Sequence, residues 1–146
     1  MKSLVAACFA LIALTGCAQG SSLDDLADGE CSKQQGQLVQ DHISGQIDAL
    51  SRQDWESAYS FAAPGFQKNV GLEQFSLIIA AQYQMLIDNQ GVAYGACSIA
   101  SEIFTQSVNV RSESRLFELT YSLSYDGKKL GIESASTTIS QQSVDI

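Results

Sequence analysis

A chain of 146 residues has room for one domain with short extensions at its ends. Apolar residues make up 45% and charged residues 16%, which permits a packed core and argues against disorder throughout. The formal charge is −8 and no basic run occurs. That excludes nucleic acid as a partner, because binding phosphates needs clustered cations, and it equally excludes attachment to an anionic bilayer through surface charge.

The N-terminus offers another route to a membrane. Lys2 precedes an uncharged apolar run from Leu4 to Thr15. The run is too short for a hydrocarbon core that needs about 20 residues, and it suits the apolar region of a signal peptide. Leu14-Thr15-Gly16-Cys17 comes next. This resembles the bacterial lipobox, where small residues precede a cysteine whose thiol receives a diacylglycerol thioether. Residues 1–16 are thus expected to be a lipoprotein signal peptide, with Cys17 lipidated. Buried acyl chains contribute about 0.8 kcal/mol per methylene, so two or three of them make a stable anchor. By analogy with lipoprotein sorting, Ala18 after the cysteine points to the outer membrane, facing the periplasm. The competing reading is secretion of an unlipidated chain after cleavage at Ala18.

Residues 17–34 comprise the anchor cysteine and a polar, acidic, Gly- and Ser-bearing stretch, expected as a flexible tether with too little apolar content to fold alone. A single α+β domain is expected over residues 35–146. Of four cysteines, Cys8 falls in the signal segment and Cys17 is taken by lipid. Cys31 and Cys97 remain, in a compartment that is normally oxidising, and are expected to form a disulfide. Two buried thiols, or a nucleophilic Cys97 acting with the single histidine, are the competing readings.

Within the domain the first helix is expected from about Gln35 to Arg52, with Val39, Ile43, Ile47 and Leu50 on one stripe. Asp41 and Asp48 lie opposite, while His42 and Gln46 fall inside or beside the apolar stripe. Asp54 is a fitting N-cap for a short second helix that places Trp55, Ala58, Tyr59 and Ala62 on one face. Pro64-Gly65 is expected to end it. A third helix runs from Leu72 to about Gln82, with Tyr83 at its end. Five strands follow, near 85–88, 92–99, 103–111, 115–125 and 128–140, rich in Val, Ile, Phe, Tyr and Thr. Asp126-Gly127 between the last two signals a hairpin closed by two residues, setting Leu123 opposite Leu130 and Tyr121 opposite Ile132. Ser134 and Ser136 then continue on that same face, and Glu118 and Glu133 occupy the other. Three helices followed by a strongly curved antiparallel sheet of four to six strands give an α+β layout.

Gln46, Ala49-Leu50, Asp54, Ala58-Tyr59, Phe61-Ala62-Ala63-Pro64 and Gln67, then Phe75 and Tyr83, resemble an uncharacterised bacterial family, domain of unknown function 4864. That family is similar to the nuclear transport factor 2-like superfamily, a cone of helices packed into a bent antiparallel sheet. The resemblance covers about residues 35–140. It departs at Val70-Gly71, where Phe-Gly is common, and at Leu130, where a Trp is common. The superfamily includes isomerases, dehydratases, transport factors and domains without activity, so the fold alone implies no function.

One histidine and two cysteines paired with each other leave no metal-ligand cluster, and no phosphate-binding glycine loop or nucleophile elbow is present. No metal, cofactor or catalytic residue is therefore assigned. His42, Gln46, Tyr59, Tyr83 and Tyr121 have inward phases and are the candidate lining of a pocket. Two readings of function stand. The preferred one is a non-catalytic module at the envelope that binds a small hydrophobic ligand, or a partner such as a second copy across the sheet face. The alternative is a small isomerase or dehydratase-like enzyme working through His42.

Overall fold

The computed structural model describes residues 22–138. The signal-peptide region, the acylation expected at Cys17 and the competing cleavage after Ala18 all lie outside the described residues.

Ser32 opens the first helix, α1 (Lys33–Ser51), through a reciprocal cap. Its hydroxyl accepts from Gln35 N at 3.1 Å while its own N–H donates to Gln35 Oε1 at 2.8 Å, satisfying two amides that the helix leaves orphaned. Val39, Ile43, Ile47 and Leu50 form the buried stripe, with Asp41 and Asp48 in solvent. Asp54 caps α2 (Trp55–Ser60) by accepting from Ser57 N at 3.2 Å.

The chain does not leave helical structure at Pro64-Gly65. Pro64 instead occupies the first turn of α3 (Pro64–Asn69) behind an extended Ala63. Proline is at home there, since its missing N–H would have had no helical partner. The next helix, α4 (Leu72–Gln82), buries Phe75 and Ile79. After a break at Tyr83 the segment expected as a strand near 85–88 forms one more helical turn, α5 (Gln84–Ile87), with Leu86 buried. Four apolar residues do not distinguish a strand from a helical turn, and here the packing of Leu86 decided it. Among the described residues five α-helices thus precede the long strands, where three helices were expected.

The sheet has five strands in the order β1 (Gly29–Glu30), β2 (Gly91–Ala100), β3 (Ile103–Ser112), β4 (Arg115–Tyr125) and β5 (Leu130–Thr138), every neighbour antiparallel. Phe104, Val108 and Val110 of β3, with Leu119, Tyr121 and Leu123 of β4, are fully buried and join the α1 stripe in one core. Alternate residues on both strands face outward, as in an antiparallel sheet with one wet face.

The last hairpin departs from the expected register. Asp126 does not form a two-residue turn; its Oδ1 accepts from Lys128 N and Lys129 N, both at 2.9 Å, and a four-residue loop results. Gly127, at φ +90, supplies the one positive φ of that loop. Leu123 therefore pairs with Ile132 and Tyr125 with Leu130. A slip of two residues keeps the apolar face inward. Beyond that point a bulge makes Glu133 an extra residue, so that Ser122 pairs with Ser134 and Tyr121 with Ala135. Ser134 and Ser136 consequently turn outward and Ala135 inward, the reverse of the sequence expectation.

Residues 22–31, expected within a tether, lie against the domain. Leu23 is buried, β1 pairs with the end of β2, and Gln35 Nε2 donates to the carbonyls of Ser22 at 2.9 Å and Asp25 at 2.6 Å. The stretch is too thin to fold alone, and it borrows the core and sheet edge of its neighbour. Cys31 and Cys97 form the expected disulfide, reinforced by Cys31 N donating to Cys97 O at 3.0 Å.

Candidate functional site

On the far side of the sheet, the chain just ahead of α3 runs beside β5. Ile132 N donates to Phe61 O and Ala63 N to Ile132 O, each at 2.9 Å, so Phe61–Ala63 adds a short parallel pairing to the edge of β5. The two backbones come so close at Gly131 that a Cβ there would stand 2.6 Å from Ala63 Cα.

Between this edge, α4, α5 and β4 lies a cavity of about 160 Å3. Phe66, Phe75, Ile78, Ile79, Leu86 and Ile132 form its walls, and Gln46, Tyr83 and Tyr121 contribute its inner polar groups. Ala62, Glu133, the exposed Ser134 and Ala135 complete the lining. Two other depressions, of about 230 Å3 beside Arg115 and about 200 Å3 beside Asp48, carry more charged and polar residues in their lining.

The inner groups differ in what they have left to offer. Tyr83 donates its hydroxyl to Ala135 O at 2.6 Å, and Gln46 donates Nε2 to Ala58 O at 3.3 Å. Tyr121 is fully buried, and among the described residues its hydroxyl has no hydrogen-bond partner. Burial, with the Tyr94 and Tyr83 phenols nearby, pushes its pKa well above the ordinary tyrosine value, so the group stays a neutral O–H that can both donate and accept. An orphaned hydroxyl of this kind costs about 1–3 kcal/mol, a debt that native proteins rarely leave open without reason.

Glu133 is the extra residue of the bulge, and its side chain lies on the outer face as the sequence pattern suggests, where the outward-facing Ser124 donates Oγ to its Oε1 at 2.6 Å. No short-range sequence signal marks this bulge.

Of the five residues expected to line a pocket, Gln46, Tyr83 and Tyr121 meet around the cavity. Tyr59 stands behind the wall, its ring tilted on Phe75 at 5.5 Å and its hydroxyl on the carbonyls of Val70 and Gln67, 2.6 and 3.1 Å away. His42 is outside the lining. Its Nε2 lies 3.0 Å from Phe61 O, and its ring packs edge-on to Phe61 at 5.1 Å. Burial holds its pKa below the usual imidazole value, and Lys129 adds to the effect, against a smaller opposing contribution from the Phe61 carbonyl bond. Among the described residues no group of His, Cys, Asp and Glu has the geometry to hold a metal.

The sequence pattern of one family, a domain of unknown function named DUF4864, matches residues 32–139. The chain belongs to the DUF4864 family. No curated protein and no solved structure matches it. The DUF4864 region includes every residue of the cavity lining, from Gln46 to Ala135, while Leu23 and Cys31 fall just before it. The disulfide therefore ties the DUF4864 domain to a segment outside its own boundary.

Proposed function

We propose that this DUF4864 protein is a non-catalytic module that binds a small, mainly apolar molecule in the cavity between α4 and β5. The apolar cavity walled by Phe66, Phe75, Ile78, Ile79 and Ile132 carries this reading, with the partnerless Tyr121 hydroxyl buried behind its lining. A cavity of about 150 Å3 lined by Leu, Ile and Phe takes up benzene, so the volume here suits one ring with a short substituent. A ligand hydroxyl that displaced the wall over Tyr121 would satisfy its buried O–H and set the ligand's orientation. His42 does not support the isomerase or dehydratase alternative, because its ring serves Phe61 rather than the cavity.

The same reading takes the fold as the nuclear transport factor 2-like cone and the chain as a bacterial envelope lipoprotein, anchored through Cys17 and facing the periplasm. Support for the anchor is the lipobox-like Leu14-Thr15-Gly16-Cys17 after an apolar run. Ser22 already belongs to the folded part, so only the four residues 18–21 separate it from the acylated thiol, a span of at most about 18 Å. The cavity would thus work close to the bilayer.

Thermal shift and calorimetric titration with phenol and toluene test the binding reading. Phenol is expected to bind several-fold more tightly than toluene, as one hydrogen bond of about 1 kcal/mol gives, and Tyr121→Phe to erase the difference. A flat response to both compounds would sink it. Mass spectrometry of the mature N-terminus tests the anchor: a diacylglyceryl mass on Cys17 is expected, and an unmodified chain starting beyond it ends that part of the proposal.

A further inference from the structure

We infer that the Cys31–Cys97 disulfide is a redox-operated clasp: closed, it holds residues 22–31 against the domain, and opened by a dithiol, it frees them as extra length ahead of α1. The consequence at a membrane rests on the reading of Cys17 as the anchor; the clasp itself does not.

The segment's own grip is thin. Within residues 22–31 Leu23 is the one buried side chain, while Asp24, Asp25, Asp28 and Glu30 are exposed and carry like charge. The carbonyls of Ser22 and Asp25 accept from Gln35 Nε2, and Asp28 Oδ1 accepts from Ser101 N at 2.9 Å. β1 adds two residues of pairing, Gly29 opposite Ile99 and Glu30 opposite Ser98. Ordering a chain costs conformational entropy at every residue, and so few contacts offset it poorly without a covalent link. The disulfide supplies that link at the next rung of the ladder, where Cys31 N also donates to Cys97 O. The domain, by contrast, does not need the segment to begin α1. Its cap is built from Ser32 and Gln35, and the DUF4864 pattern starts at the same Ser32.

Both cysteines are partly exposed, so an attacking thiolate has access. A protein dithiol of the Cys-x-x-Cys kind attacks one sulfur, passes through a mixed disulfide and leaves as its own disulfide. Its two electrons and two protons end on the Cys31 and Cys97 thiols. With the clasp closed, the chain from Cys17 to Ser22 spans at most about 18 Å; freed as far as Ser32, it spans at most about 54 Å. The r.m.s. reach of such a tether grows from about 12 to about 21 Å.

Amide hydrogen exchange on the unlipidated protein, oxidised and then reduced with dithiothreitol, reads the clasp directly. On reduction, and equally in Cys31→Ser with Cys97→Ser, exchange at position 31 and at Ser101 is expected to reach the rate of an unstructured chain. Val108, Val110, Leu119 and Leu123 should stay protected, though less than before. Protection kept at position 31 and Ser101 overturns the clasp. Protection lost throughout overturns it as well, since the bond is then a staple of the whole fold. Neutron reflectometry of the lipidated protein on a supported bilayer containing phosphatidylglycerol tests the consequence: reduction should move the domain outward by about 10 Å. A fixed spacing despite a released segment overturns the lengthening. A chain that binds the bilayer in neither redox state ends the anchor reading and leaves the clasp to the exchange result.

Discussion

The sheet carries two bulges, and they are treated in opposite ways. In β2 the irregularity between Tyr94 and Cys97 is filled from within: Gln106, fully buried on the neighbouring strand, donates Nε2 to Gly95 O at 3.0 Å and Ala96 O at 3.3 Å, and to Ser107 O at 2.9 Å. The disulfide and β1 then secure the same edge. In β5 the irregularity at Glu133 opens onto a cavity whose inner hydroxyl is left unanswered. The first bulge has its carbonyls met by the protein's own side chain, although the buried Oε1 of that same Gln106 has no partner among the described residues, and the second borders a cavity. An unpartnered buried atom thus occurs near both bulges, and the adjoining cavity is what sets the second apart.

That contrast can be broken at its strongest point first. Closing a loop between residues 31 and 97 stabilises by about 4 kcal/mol on the chain-entropy argument. Cys31→Ser with Cys97→Ser is expected to lose most of that in chemical denaturation, while phenol affinity, set at the other end of the sheet, changes little. Next in size is Gly131→Ala. A methyl 2.6 Å from Ala63 Cα forces the two backbones apart, at a cost of about 2–3 kcal/mol, and because this contact flanks the cavity, phenol binding should weaken as well. Gln106→Leu strips the donor from three strand carbonyls and should cost about 1–3 kcal/mol, whereas Glu133→Gln at the other bulge should stay within about 0.5 kcal/mol. Equal losses at the two positions would dissolve the distinction.

The smallest effect concerns His42, which touches neither bulge. Its folded pKa is lowered, mainly by burial, so below the ordinary imidazole value of about 6.5 the unfolded chain binds more protons than the folded one. Stability should be complete above that pH, decline as the pH falls through it toward the folded value, and level off below. His42→Gln is expected to flatten this part of the profile. A mutant curve parallel to the wild type between pH 7 and 5 would contradict the assignment.

Much of this architecture is written in periodicity. Val39, Ile43, Ile47 and Leu50 announce α1, and the alternation from Phe117 to Tyr125 announces β4, because each pattern repeats long enough to average out local exceptions. Ser32 with Gln35 is a capping-box signature that puts the start of α1 at Lys33, two residues ahead of the Gln35 expected from the apolar stripe. Features decided by single contacts were not legible in this way. The Asp126 side chain answers two loop amides and lengthens the turn, Leu86 packs a four-residue stretch into a helical turn, and Leu23 docks a segment whose composition is that of a linker. The site divides along the same line. Gln46, Tyr83 and Tyr121 follow from the phase of their elements, but the inward turn of Ala135 requires knowledge of one unpaired residue in β5, and parity arguments fail at such a point.

The extra residue in β5 has a consequence for insertions and deletions. Removing it would not merely shorten an exposed strand by one position; it would exchange the inward and outward sets of the last five described residues, sending Ser134 and Ser136 toward the core and Ala135 to water. This strand end, which looks tolerant of change because its residues are small and largely exposed, is therefore sensitive to its residue count and lenient about residue identity.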